Sequence, residues 1–410
     1  MKRLFFSLIA CASLNADVHY NLLVDQYFTP YIGAEDILSA YRGLEELESL
    51  ILKPPANPRN TFFQDVERLA DLVLIWEPIN YMGVVTQHEV FGHGFWVRTL
   101  PSNTAEVKKY AFGKPPPYGS GGGSTHYEAK LHKITAYQEL AITAGGVEAT
   151  AILANRLKLQ WLQRSSLNPH QCTLYLYSQQ DLTLYTFGST ELDEDSSDVK
   201  SYVHLLNKSY PKGHLSVKEL QDQALVNLLD PFTYYAIYDW FYYIFTGKAG
   251  PMPMVPFGSY RYLPGGRLGL TPFGPEYYFE NYLVKDQQPI YFYARYGNFA
   301  HQTYWGFGIE HAYLWTVNTC PWGLRLDFWQ QPHTAFSNKK YALINVFEND
   351  HRFGQQPSRD SWGFALSLIG HIKLWHRGSF YFQLGGKTVG YLPGEPLQQA
   401  LIARVGLTLW

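Results

Sequence analysis

The chain has 410 residues, with 33 lysines and arginines against 35 aspartates and glutamates and a formal net charge of −2. That balance excludes the basic footprint of a nucleic-acid partner and gives no pull toward acidic lipid, while the length allows two or three domains and a sizeable core. Aromatic and charged residues each make up 17%; the charged share is low against an average of about 25%, which suits lipid-facing surface as well as a buried core.

Lys2-Arg3 before Leu4-Phe5-Phe6-Ser7-Leu8-Ile9-Ala10 reads as a short secretory signal, residues 1–16, with cleavage after Ala16. Leu8-Ile9-Ala10-Cys11 also resembles a lipoprotein signal, in which Cys11 would carry the lipid. Cys172 and Cys320 are in no metal-binding spacing and read either as one disulfide or as two buried thiols.

From Ile32 to Asp230 the spacing of apolar residues is helical. Ala34–Leu52 precedes Pro54-Pro55, Phe62–Trp76 continues in the same style, and Pro78 suits the first turn of a helix ending near Pro101. That helix carries His88-Glu89-Val90-Phe91-Gly92-His93. Neutral imidazoles bind Zn²⁺, and a carboxylate beside the first ligand can take a proton from the metal's water. The common arrangement spaces its histidines four apart on one helix face. Here they are five apart, about 500° round a regular α-helix, so the rings diverge by roughly 140°. One π-bulge returns them to one face, and Gly92 is where such a distortion is cheapest. Satisfied core histidines are the alternative, but an isolated buried glutamate is costly without a partner.

The hexapeptide resembles the signature of the dipeptidyl-peptidase III family of gluzincin-like zinc metallopeptidases. The resemblance covers these six residues and one glutamate. It implies Zn²⁺ as cofactor, His88 and His93 as ligands, Glu89 as general base, and a third ligand on a later helix a little over fifty residues on. Glu148 stands at that distance, in Ala144-Gly145-Gly146-Val147-Glu148-Ala149; the family's paired glutamates are replaced here by Gly145, Gly146 and Val147.

The run 115–124, rich in proline and glycine, reads as a linker or as a mobile loop over a cleft between the two ligand helices. Glu128–Arg164 follows as a long helix with a small-residue face. Gly145 and Gly146 each weaken it by roughly 1 kcal/mol relative to alanine. Close approach to the hexapeptide helix offsets that and would carry Glu148 to the metal. Glu139, Glu128 and His132 compete for that place. His126, Tyr127 and His204 are candidates to steady the oxyanion, His126 being the catalytic partner assigned to Glu89. Glu191–Asp198 reads as a solvated acidic loop. No uncharged apolar run reaches 18 residues; the nearest, Pro231–Phe245, contains Asp239.

From Gly258 the period changes to two. Strands are expected at Tyr277–Val284, Ile290–Asn298, Tyr304–Trp315, Gly323–Gln330, Tyr341–Glu348, Trp362–Leu374, Ser379–Lys387 and Ala400–Trp410. Their length, their aromatic ends and the terminal Trp410 match a small outer-membrane barrel, with a soluble sandwich as competitor. The expected fold is therefore α + β: a signal, a mostly helical zinc-hydrolase domain at 17–250, and an eight-stranded antiparallel barrel at 258–410. The expected function is a zinc metallopeptidase of a Gram-negative bacterium, anchored in outer-membrane lipid and facing the periplasm, with a peptide or protein substrate. The other reading is a non-enzymatic outer-membrane channel or adhesin whose helices form a plug or binding module. Nothing in the sequence specifies an oligomeric state.

Overall fold

The computed structural model describes residues 20–52, 61–130, 134–188, 197–210, 212–318, 320–332 and 360–409. The proposed signal, Cys11, His132, the strand at 341–348 and Trp410 lie outside the described residues.

Strand β1 (Tyr20–Asp25) leads into helix α1 (Pro30–Leu52). One helical run then extends from Phe62 to Arg98: α2 (Phe62–Asp71), a π-turn (Leu72–Trp76), α3 (Glu77–His88), a second π-turn (Glu89–His93) and α4 (Gly94–Arg98). The Thr61 hydroxyl caps its start by accepting from the Gln64 N–H. Pro78 falls in the first turn of α3, immediately after a π-turn, and the chain passes it without breaking. The segment read as a linker and a helix start is instead a hairpin, β2 (Ala105–Phe112) with β3 (Gly123–Ala129). Gly121 and Gly122, at φ +74° and +88°, make its turn, which side-chain-bearing residues adopt poorly.

Helix α5 (Ala136–Arg164) starts later than expected, at a capping box of Thr135 and Gln138. After it come α6 (Cys172–Gly188), α7 (Asp198–Ser209), α8 (Val217–Ala224) and α9 (Pro231–Thr246). Cys172 and Cys320 are both free thiols.

The remaining strands are β4 (Val255–Phe257), β5 (Tyr260–Thr271), β6 (Gly274–Lys285), β7 (Gln288–Phe299), β8 (Gln302–Val317), β9 (Cys320–Pro332), β10 (Asp360–Trp375), β11 (Gly378–Lys387) and β12 (Ala400–Leu409). They form one antiparallel sheet of ten strands in the order β1-β12-β11-β10-β9-β8-β7-β6-β5-β4. This confirms an α + β chain and corrects the closed eight-stranded barrel, since among the described residues the sheet is open with β1 and β4 at its edges. The correction has two sources. β1 lies in the domain read as mostly helical, ahead of the helical spacing that begins at Ile32, and pairs with β12 from Tyr20↔Leu409 to Asp25↔Arg404. β5 carries Pro264-Gly265-Gly266, which looked like loop punctuation.

Alternation along the strands places charge inside. In β8, Phe307 and Ile309 are exposed whereas Glu310 is buried, and Glu280, Arg295, Asp327 and Arg404 are buried likewise. Helix α5 lies against this polar face. Lys158 pairs with Asp230 and, at 2.9 Å, with Glu280, and Arg156 forks onto both Glu310 oxygens at 2.6 and 3.0 Å. Apolar clusters shared by helices and sheet complete the packing, one including Trp161, Tyr175, Phe232 and Tyr282 and another Trp96, Leu140, Tyr202 and Tyr304.

Candidate metal centre

The hexapeptide adopts the distortion its spacing requires. The Gly94 N–H bonds to the Glu89 carbonyl, five residues back, across the π-turn. The His88 and His93 rings consequently lie 4.9 Å apart, centre to centre. Helix α5 meets this turn backbone to backbone. A Cβ on Gly92 would fall 2.7 Å from the Gly146 Cα, and one on Gly146 would fall 2.1 Å from His88 Nε2. The glycine pair therefore serves the close helix contact expected of it.

The carboxylate that joins the histidines is Asp198, the first residue of α7. Its Oδ2 lies 3.4 Å from His88 Nε2 and 3.1 Å from His93 Nε2. Each ring is held from behind through Nδ1: His88 by Asp181 Oδ2 at 2.9 Å, His93 by donation to the Ile142 carbonyl at 2.7 Å. Asp181 in turn accepts from the Thr150 hydroxyl at 2.8 Å. With Nδ1 engaged, both Nε2 atoms face the shared carboxylate. Zinc bonds of about 2.0–2.2 Å in a tetrahedron place ligand atoms roughly 3.3–3.6 Å apart; the donor types suit Zn²⁺, and the separations of 3.4 and 3.1 Å lie at and just below that range.

The electrostatics agree with a cation site. Burial disfavours a charged His88, but Asp181 and Asp198 outweigh it and raise the imidazole well above its ordinary value. His93 is raised in the same way, against burial, by Asp198. Asp198, despite burial, is held well below the carboxylate range by the two histidines. Protons on the rings thus do what a bound cation would do: they neutralise the half-buried Asp198 carboxylate.

Glu89 is buried beside this trio. Its Oε2 accepts from the Thr125 hydroxyl at 2.7 Å, which fixes the carboxylate against β3. A cavity of about 410 Å³ opens here, lined by Tyr81, Val85, His88, Glu89, Tyr177 and Tyr185 among others. Tyr185 stacks on His88 with ring centres 5.2 Å apart. Burial first, then Asp181, Asp198 and Glu89, raise its phenol well above the ordinary value. Tyr127 is pushed up to about 12 by burial and by Glu139 and Asp198. Both phenols therefore keep their protons at neutral pH.

Glu148 is not with the histidines. Its Oε2 accepts from Trp96 Nε1 at 3.0 Å and its Oε1 from the Gly394 N–H at 2.5 Å. Two residues past Gly146 is about 200° round the helix, so the face that touches His88 cannot also carry Glu148 to it. His126 is exposed on β3 and hydrogen-bonds Ser124 at 3.1 Å; it alternates with Thr125, which faces Glu89, and so points the other way. Glu128 shares that outer face and pairs with Lys108 at 3.2 Å. Glu139 lies near Tyr127 and is pushed up to about 7 by burial, outside the trio, and His204 is exposed on α7. Asp198 itself is a correction, since it opens a helix instead of ending a solvated loop. Its sequence signal was the helical spacing of Val199, Tyr202, Val203 and Leu206 behind Ser197. Asp181 was signalled by being an acid inside the apolar stretch of α6. No family model, curated protein or solved structure matches this chain.

Proposed function

We propose that the protein is a zinc-dependent hydrolase, specifically a metallopeptidase, held in the outer membrane by its sheet. The observation that carries the hydrolase reading is the convergence of both imidazole Nε2 atoms on Asp198 beside Glu89 and a cavity. Asp198 takes the place that the family resemblance gave to Glu148. His88, His93 and Asp198 would hold Zn²⁺, which would supply Lewis acidity there.

The chain's own groups do the rest. Asp181 and the Ile142 carbonyl hold the two ring tautomers. Glu89, fixed by Thr125, takes a proton from water in the cavity and returns it to the leaving amine. Tyr185 and Tyr127 are the protonated donors available to a developing oxyanion. A peptide substrate is favoured by β3, which among the described residues pairs with β2 alone and has a second edge that an extended chain can join. Apolar residues outside and charge inside support the membrane-facing sheet.

Metal analysis with peptide hydrolysis tests this. The purified protein should hold one zinc per chain, and Glu89→Gln should keep the zinc while hydrolysis falls by about 100-fold or more. His93→Ala and Asp198→Asn should lose the metal. A zinc-free protein that conducts ions in planar bilayers would replace this reading with the channel.

A further inference from the structure

The edges of the sheet end on helices. On β1, the Asn21 N–H donates to the Ser39 hydroxyl at 2.8 Å and the Leu23 N–H to Asp36 Oδ1 at 2.9 Å, while the Ser39 hydroxyl donates back to the Asn21 carbonyl at 2.9 Å. Both side chains belong to α1. At the other edge β4 is three residues long, and β5 runs past it. There Gln179 Nε2 donates to the Gly266 carbonyl at 3.2 Å, the Leu268 N–H to Asn227 Oδ1 at 2.7 Å, and the Tyr202 hydroxyl to the Thr271 carbonyl at 2.7 Å. Edge groups that would otherwise demand water or another strand are met by helical side chains.

Helices α2 and α9 pack together, with Arg68 Nε donating to the Ile244 carbonyl at 2.7 Å. α2 is inside out. Gln64, Asp65 and Arg68 are half-buried, whereas Phe62, Phe63, Val66 and Leu69 are exposed, Phe63 by 82%, with Glu67 the one charged residue exposed among them. On α9, Phe241 and Phe245 are exposed as well. A helix in water shows the opposite polarity. The sheet has the same inversion, so one apolar exterior continues from strands onto helices.

We propose that α2 and α9 extend the apolar outer face of the sheet as a helical seam that lies in bilayer hydrocarbon. This rests on the membrane reading of the sheet. The occupant is lipid because hydrocarbon suits an exterior that stays mainly apolar across two kinds of element while Arg68 and the charges of the sheet turn inward.

Single cysteines test the seam in a full chain whose Cys11, Cys172 and Cys320 are replaced by alanine. Phe63→Cys and Phe241→Cys probe the seam, Phe307→Cys the outer face of the sheet, and Lys218→Cys the exposed α8. Each variant is placed one chain per phosphatidylcholine nanodisc, so no second copy can cover it, and treated with a charged maleimide. Lys218→Cys should react freely, and the other three about ten-fold or more slowly until the disc is dissolved and the chain unfolded. If Phe63→Cys and Phe241→Cys react as fast as Lys218→Cys while Phe307→Cys stays protected, the seam faces water and the proposal fails. Fast reaction at Phe307→Cys as well would remove the membrane reading beneath it.

Discussion

Asp198 accepts from two imidazoles that are themselves anchored from behind, so the trio's geometry is set before any ion arrives. His88, Glu89 and His93 were legible because chemistry and spacing sit within six residues. Asp198 was not, because only the packing of α7 against α5 brings a residue more than a hundred positions on to the same point. Glu148 was legible as a buried acid but misread as a ligand. Burial raises its carboxyl to about 7 despite the hydrogen bonds from Gly394 and Trp96. A folded pKa above the unfolded one means the native state binds the extra proton. Its contribution is thus fully present below the ordinary carboxylate value and is lost as pH rises toward about 7. Glu148→Gln should keep zinc and flatten the fall in thermal stability across that window. Loss of zinc in this variant would return Glu148 to the ligand set.

At the scale of elements, the π-turn was predictable from arithmetic alone: five residues cannot put two ligands on one face of a regular helix. The glycine pair in α5 was predictable for a related reason, since its helix penalty needs an offset. The structure adds how tight the fit is, with no room at Gly146 for even one carbon beside His88 Nε2. Gly146→Ala should therefore weaken zinc binding by roughly ten-fold or more, read by competition with a chromophoric chelator, because the ring must tilt off its ideal line. Unchanged affinity would mean that the helices separate freely and the contact is incidental. The β2–β3 hairpin escaped the sequence because its proline- and glycine-rich turn has the composition of a linker. β1 escaped because six residues carry too few periods to be told from a loop.

The whole molecule was readable as helices followed by alternating strands, and the alternation itself foretold polar inside and apolar outside. What the alternation does not encode is how the sheet ends, because the partners of β1 and β5 lie on helices distant in sequence. The buried charges between α5 and the sheet are the main electrostatic hold of that arrangement. Lys158→Met leaves Asp230 buried without its cation and Glu280 with Arg267 alone, at 3.2 Å. That should destabilise the fold by about 3–5 kcal/mol, measured by denaturant unfolding in detergent. Replacing all three by apolar residues of similar volume should recover much of the loss. If the single variant is as stable as the parent, the network contributes no net hold.

The pairing of β1 with β12 sets an order of events. Tyr20 meets Leu409 and Asp25 meets Arg404, so the first strand stays without its strand partner until the last has been made. Gly394, on the approach to that last strand, also grips the helix lying against the histidines. A nascent chain would thus carry His88, His93 and Asp198 early yet lack the frame that aligns them. The trio should take up its geometry only after β12 has been made. A chain truncated before residue 390 should accordingly bind Zn²⁺ more weakly than the full chain, read by competition with a chelator.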